Sequence, residues 1–173
     1  MAKLLVAPVS AGLDVAAASK AFVQALGAQV FQPLDASAET LLAQGKSDDW
    51  FDAVVGKAVA LNTDNLVIEG IAPEADKLFL SGKNVELALS LDAGVVLALQ
   101  SDSADAAEVA HRINLAKQLY TNAPGLLEGF IIEGAAASVG EEVARLTGLT
   151  FYGSSSALKD VSALAKREAS RLS

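Results

Sequence analysis

Six short, nearly unbroken apolar runs punctuate the chain, at Lys3 to Pro8, Gln29 to Gln32, Leu66 to Glu69, Val95 to Leu99, Leu127 to Ile132 and Leu149 to Tyr152. A strand with one wet face alternates apolar and polar positions, whereas a strand covered on both faces does not. The runs therefore predict a central sheet packed between helices. Longer Ala-rich stretches of helical period separate them, predicting helices over Val15 to Leu26, Trp50 to Leu61, Asn84 to Leu91, Ala104 to Tyr120, Val139 to Leu146 and Ser156 to Leu172. Gly27 and Gly148 stand where left-handed C-caps belong, Ser47-Asp48-Asp49 is placed to cap the second helix, and Ser103 the fourth. This alternation predicts an α/β fold, a three-layer sandwich with a mainly parallel central sheet, forming one domain over residues 1–173. Ile71 to Lys83 fits no element and follows a strand's carboxyl end, where open α/β sheets gather their ligands.

Composition narrows the function classes. Hydrophobic residues make up 52% of the chain, yet no run approaches the ~18 apolar residues of a membrane span. The apolar stretch behind Met1-Ala2-Lys3 is shorter than a signal-peptide core, and there is no cysteine, so a cytoplasmic protein is expected. Acidic residues number 21 against 13 basic ones, a formal charge of -8 whose field repels polyanions. Neither nucleic acid nor membrane is expected as a partner. Lys159, Lys166, Arg167 and Arg171 make the C-terminal segment locally basic, which reads as the solvated face of the last helix.

The first strand runs into Pro8-Val9-Ser10-Ala11-Gly12-Leu13-Asp14-Val15-Ala16 and then a helix. In P-loop proteins this turn cradles phosphate with backbone N–H groups, a glycine, a lysine and a Ser or Thr hydroxyl for Mg²⁺. Here Asp14 replaces the glycine before the lysine, Val15 the lysine and Ala16 the hydroxyl, leaving Gly12 as the one glycine beside Ser10. Asp14 is suited to cap the helix itself and to repel an anion there. Two like charges ~4 Å apart repel by about 4 kcal/mol at an effective dielectric near 20. The pattern predicts a P-loop-like fold with a degenerate, self-plugged phosphate loop, no bound cofactor and no metal.

Several further stretches carry a resemblance. Val30-Phe31-Gln32-Pro33 matches a Phe-Lys-Pro segment, and Leu66-Val67-Ile68-Glu69-Gly70-Ile71-Ala72-Pro73 matches a Val-Glu-Gly-x-x-Pro segment. Asn84 to Ala93, followed by Val95-Val96-Leu97, fits the same pattern. With the opening strand and turn, these make the chain resemble the N-terminal domain of the long form of bacterial phosphate acetyltransferase, itself similar to dethiobiotin synthetase. The resemblance implies a dethiobiotin synthetase-like, P-loop type fold. It also implies that acetyl transfer between phosphate and coenzyme A belongs to a C-terminal acyltransferase domain outside these residues. The departures fall on nucleotide-handling positions: Gln32 replaces the second-strand lysine, and Glu133-Gly134 stands where active relatives carry an adenine-reading Asn pair. Glu69, which would help hold Mg²⁺ in dethiobiotin synthetase, is retained.

The resulting expectation is a non-catalytic regulatory or oligomerisation domain, a fragment or detached relative of a larger enzyme. Its expected partners are its own copies or the acyltransferase domain, with a small-metabolite effector seated around Glu69, Gly70, Ser101 and Asp102. One alternative is an ATP-dependent dethiobiotin synthetase-like ligase holding phosphate with Lys20, Lys77 or Lys83, and another is a metabolite-binding module. No catalytic residue is assigned. His111, the one histidine, reads as a solvated helix position, Ser154-Ser155-Ser156 as the loop before the last helix, and Trp50 and Phe51 as core or interface anchors.

Overall fold

The computed structural model describes residues 2–10, 12–33, 36–61, 65–72 and 82–159, with Val161 and Leu164. In chain order the elements are β1 (Ala2–Pro8), α1 (Val15–Leu26), β2 (Gln29–Phe31), α2 (Ala36–Ala43), α3 (Ser47–Ala60), β3 (Asn65–Glu69), α4 (Lys83–Leu91), β4 (Gly94–Gln100), α5 (Ala106–Gln118), β5 (Leu127–Glu133), α6 (Ala137–Thr147), β6 (Thr150–Phe151), β7 (Gly153–Ser154) and β8 (Ala157–Leu158). The first six strands form one sheet in the order β2-β3-β1-β4-β5-β6, with every pairing parallel. All six expected strands are therefore present, within a residue or two of their expected ends.

Strand order and crossover handedness decide which helix covers which face. From β1 the chain steps past β3 to β2, and every later step runs the other way across the sheet. Right-handed crossovers then place α1 alone on one face and α2 to α6 on the other. The packing agrees. Leu5, Ala7, Ile68, Leu97, Leu99, Phe130 and Ile132 form one core with Trp50, Leu87, Ile113 and Val143. Their alternating neighbours Leu4, Val6, Val67, Val96, Ala98 and Ile131 form a second core with Ala18 and Phe22 of α1, completed by Tyr152, Val161 and Leu164. Two buried faces per strand explain the unbroken apolar runs.

The caps follow local chemistry, with corrections. Gly27 and Gly148 adopt the left-handed conformation as C-caps. Ser103 does not cap α5; Asp105 does, accepting from the Ala107 and Glu108 amides, while the Ser103 hydroxyl donates to Glu108. Ser47-Asp48-Asp49 lies inside the first turn of α3, whose N-cap is Lys46, so Asp48 and Asp49 act through the helix dipole instead. Helix α2 was not expected. The last helix does not begin at Ser156, which sits in the turn of the β7–β8 hairpin, and Lys166, Arg167 and Arg171 lie outside the described residues. Trp50 is fully buried, so it is a core anchor; its indole N–H donates to the Pro33 carbonyl at 3.0 Å and its ring centroid lies 4.6 Å from that of Phe51. Burial pushes the Tyr120 hydroxyl well above the usual tyrosine range, keeping it neutral.

Candidate functional site

Because β1 feeds α1 on one face while its neighbours β3 and β4 feed helices on the other, the chain divides at the carboxyl end of β1. Open α/β sheets bind ligands at such a switch point. The turn after β1 is tied down on the β4 side: the Val9 amide donates to Ala98 O at 2.8 Å, and the Gln100 amide donates to Ser10 Oγ at 3.3 Å. Gly12 sits under the Gln100 side chain, with room for a Cβ at an ordinary 3.8 Å from Oε1.

Asp14 has extended backbone and is the N-cap of α1, its carboxylate accepting from the Ala17 amide at 3.1 Å. A first-turn donor that could serve an anion is thereby taken by the chain's own negative charge. Val15 and Ala16, the first residues of α1, bring neither ammonium nor hydroxyl. Removing a cap of this type costs about 1 kcal/mol. Asp14→Ala is accordingly expected to lower the urea midpoint without changing the slope of the transition, and Asp14→Asn, which can cap equally well, to leave it nearly unchanged.

Strand parity puts further polar side chains on the α1 face of the sheet. Glu69, Gln100 and Glu133 each end a strand and alternate onto the α1 face, from β3, β4 and β5. Gln32 Nε2 donates to Glu69 Oε2 at 3.1 Å, so the residue standing where a lysine was expected neutralises nothing but does occupy the carboxylate. Glu133 Oε1 accepts from the Ser155 amide at 2.6 Å. Gln100 and Glu133 lie side by side in register, whereas Glu69 lies level with Val6 and Val96, four residues short of Gln100.

The remaining expected site residues have structural engagements. Gly70 donates its amide to Val6 O at 2.9 Å and lies against the β1 backbone. The Ser101 hydroxyl turns into its own loop and accepts from the Ser103 amide at 3.2 Å, whereas Asp102 is exposed. Ile71 is clamped by the Asn84 side chain, which accepts from its amide at 2.7 Å and donates to its carbonyl at 2.8 Å. Most of the loop from Ile71 to Lys83, including Lys77, lies outside the described residues. Lys83 is committed to Glu86 at 2.9 Å and to Ser47 Oγ at 3.4 Å, and Lys20 is exposed on α1. His111 is exposed on α5, away from this corner.

A magnesium nucleotide, as the dethiobiotin synthetase resemblance implies, asks for a hydroxyl beside an unencumbered carboxylate and a lysine over the phosphates. These residues do not fit it: Ala16 has no oxygen, Glu69 is engaged by Gln32, and Val15 replaces the lysine. Among the described residues no three His, Asp or Glu side chains are grouped to hold a metal ion. Sequence reasoning missed Gln100 and the pairing of Gln32 with Glu69. The signal was there in part, because each of these strands ends its apolar run on a polar residue, but which ends line up depends on register.

No protein-family model matches the chain. Over 102 residues, 57% of its length, it is 31% identical to a phosphate acetyltransferase of Deinococcus radiodurans. Over 108 residues, 60% of its length, it is 32% identical to a phosphate acetyltransferase of Haemophilus influenzae. The chain matches only 14% and 15% of the length of these curated relatives. No helix among the described residues is long and apolar enough to cross a membrane. The chain thus has an α/β fold with a six-stranded parallel sheet and is similar in sequence to a limited part of phosphate acetyltransferases.

Proposed function

We propose that this chain is a non-catalytic regulatory or assembly domain of the phosphate acetyltransferase type, built on a P-loop-like fold whose phosphate seat is lost. Acetyl transfer would then belong to chain outside these residues. The observation that carries this reading is the Asp14 carboxylate on the Ala17 amide at the mouth of α1. A nucleotide would bring several negative charges beside it, each repelled on the order of 4 kcal/mol at contact range, and Val15 brings no ammonium to offset them. Sequence similarity to two phosphate acetyltransferases supports the parent enzyme.

The ligase alternative needs a lysine over the phosphates. Val15 supplies none, and Lys83 is tied to Glu86 and Ser47. A small-metabolite effector beside Glu69 or Asp102 would be recognised through hydrogen-bond donors of its own, since both side chains accept.

Calorimetric titration of the purified chain with ATP and Mg²⁺ tests the reading. No heat is expected up to roughly millimolar nucleotide, the range in which a residual binding energy of only about 4 kcal/mol would appear. Micromolar binding would overturn the proposal and favour the ligase.

A further inference from the structure

The β7–β8 hairpin is too small to stand alone. It has two residue pairs, Gly153 with Leu158 and Ser154 with Ala157, joined through Ser155 and Ser156. Two-residue hairpin loops favour turns with a left-handed residue, whose twist matches that of the strands. Neither serine supplies one: Asp92 is the one non-glycine residue with positive φ among the described residues. An isolated two-stranded ribbon is marginal even with the right turn. Something else must hold this one.

The holding atom belongs to the sheet. Glu133, the last residue of β5, reaches the Ser155 amide in the hairpin turn at 2.6 Å, a short charge-assisted bond across 22 residues of chain. The hairpin's base is closed by the Lys159 amide on Tyr152 O at 2.9 Å. Lys159 Nζ to Glu141, at 3.2 Å, is an exposed pair and adds little. Gly153, with φ of 92°, lies so close to the Ala157 carbonyl that a Cβ there would collide with it, so only glycine fits.

The hairpin leads the chain from the sheet edge back over the face that α1 leaves bare. Tyr152 and Leu158, followed by Val161 and Leu164, complete the core formed by Val96, Ala98 and Ile131. Glu133 also sits at the strand-end corner: its carbonyl takes the Ser101 amide at 2.9 Å, and the following Gly134, at φ of 93°, lies against Ser101 O.

We infer that Glu133 is the latch of a strap: its carboxylate holds the β7–β8 hairpin down, and loss of that contact loosens the cover over β4 and β5. A hydrogen-bond donor arriving at the corner competes for the same carboxylate, so occupancy there and hairpin order are coupled. This depends on neither nucleotide loss nor the parent enzyme.

Hydrogen exchange, read by NMR on the full chain, tests the latch in the wild type, Glu133→Ala and Glu133→Gln. In Glu133→Ala the Ser155 amide should exchange about tenfold faster or more, with the amides of 157 to 159 following while β1 and β4 keep their protection. Fluorescence of an apolar-surface dye should rise in the same variant. Glu133→Gln keeps an acceptor of the same shape without the charge and should fall between the two, and it carries the test if the alanine variant does not fold. Unchanged exchange at Ser155, or an equal increase in β1 and β4, would overturn the inference, the second because it reports loss of global stability alone.

Discussion

Replacing Gly70 by alanine should destabilise this chain by on the order of 3 kcal/mol, although the change adds a single methyl group. Gly70 follows β3 immediately and its amide bonds to Val6 O in β1. An added Cβ would land on that carbonyl oxygen, 3.0 Å from Pro8 Cδ and 3.1 Å from Ala7 Cα. These are backbone and ring atoms of a strand hydrogen-bonded on both sides, by β3 and β4, so no flexible side chain is available to move aside. Overpacking that must be relieved by backbone shift costs on the order of 3 kcal/mol, a large part of the stability of a domain this size. Gly56 provides the contrast: it lies inside α3 with nothing within 4 Å of an added Cβ, and alanine there should stabilise by about 0.5–1 kcal/mol. Urea unfolding followed by Trp50 fluorescence checks both signs. A Gly70→Ala protein as stable as the wild type would mean that β1 and β3 do not approach as described.

Trp50→Ala is expected to cost about 3–5 kcal/mol. The side chain is fully buried on the face covered by α2 to α6 and stacks at a tilt on Phe51, whose ring also lies 5.8 Å from Lys83 Nζ. Its removal leaves both a cavity and a Pro33 carbonyl without its donor. Trp50→Phe separates the two effects, because it fills much of the space but cannot donate; a buried carbonyl left without its donor costs about 1–3 kcal/mol. Far-UV circular dichroism against urea is the suitable measurement, since the chain has one tryptophan. Equal losses for the two variants would assign nearly all the energy to the hydrogen bond.

The sheet was legible because both of its faces are dry. Leu4-Leu5-Val6-Ala7 and Val95 to Leu99 could not alternate, and unbroken runs of that length between helical stretches leave few architectures open. Asp14 was legible for the opposite reason, as a local effect: an aspartate directly before a helical period needs no tertiary partner to cap it. What sequence could not supply was register. Gln100 and Glu133 stand side by side because the two are paired, whereas Val6 pairs with both Glu69 and Val96 and so leaves Glu69 four residues short of Gln100; nothing in any single strand states those pairings. Ser103 was misread because Ser103 and Asp105 both suit an N-cap, and only the backbone path chooses between them. Ser156 was misread because serine favours helix starts and turns alike; the two-residue strands around it carry too little pattern to register.

The uneven dressing of the sheet has a consequence for synthesis. Five helices clothe one side as their strands emerge, yet Leu4 and Val6 share their core with Val161 and Leu164, about 155 residues further along the chain and synthesised well after β4 and β5. Until then Val96, Ala98 and Ile131 present an oily flank beside α1, and contacts of such long sequence separation form slowly. A nascent chain of this kind passes through a sticky interval, open to chaperones or to a neighbouring chain, that ends when the segment holding Val161 and Leu164 folds over.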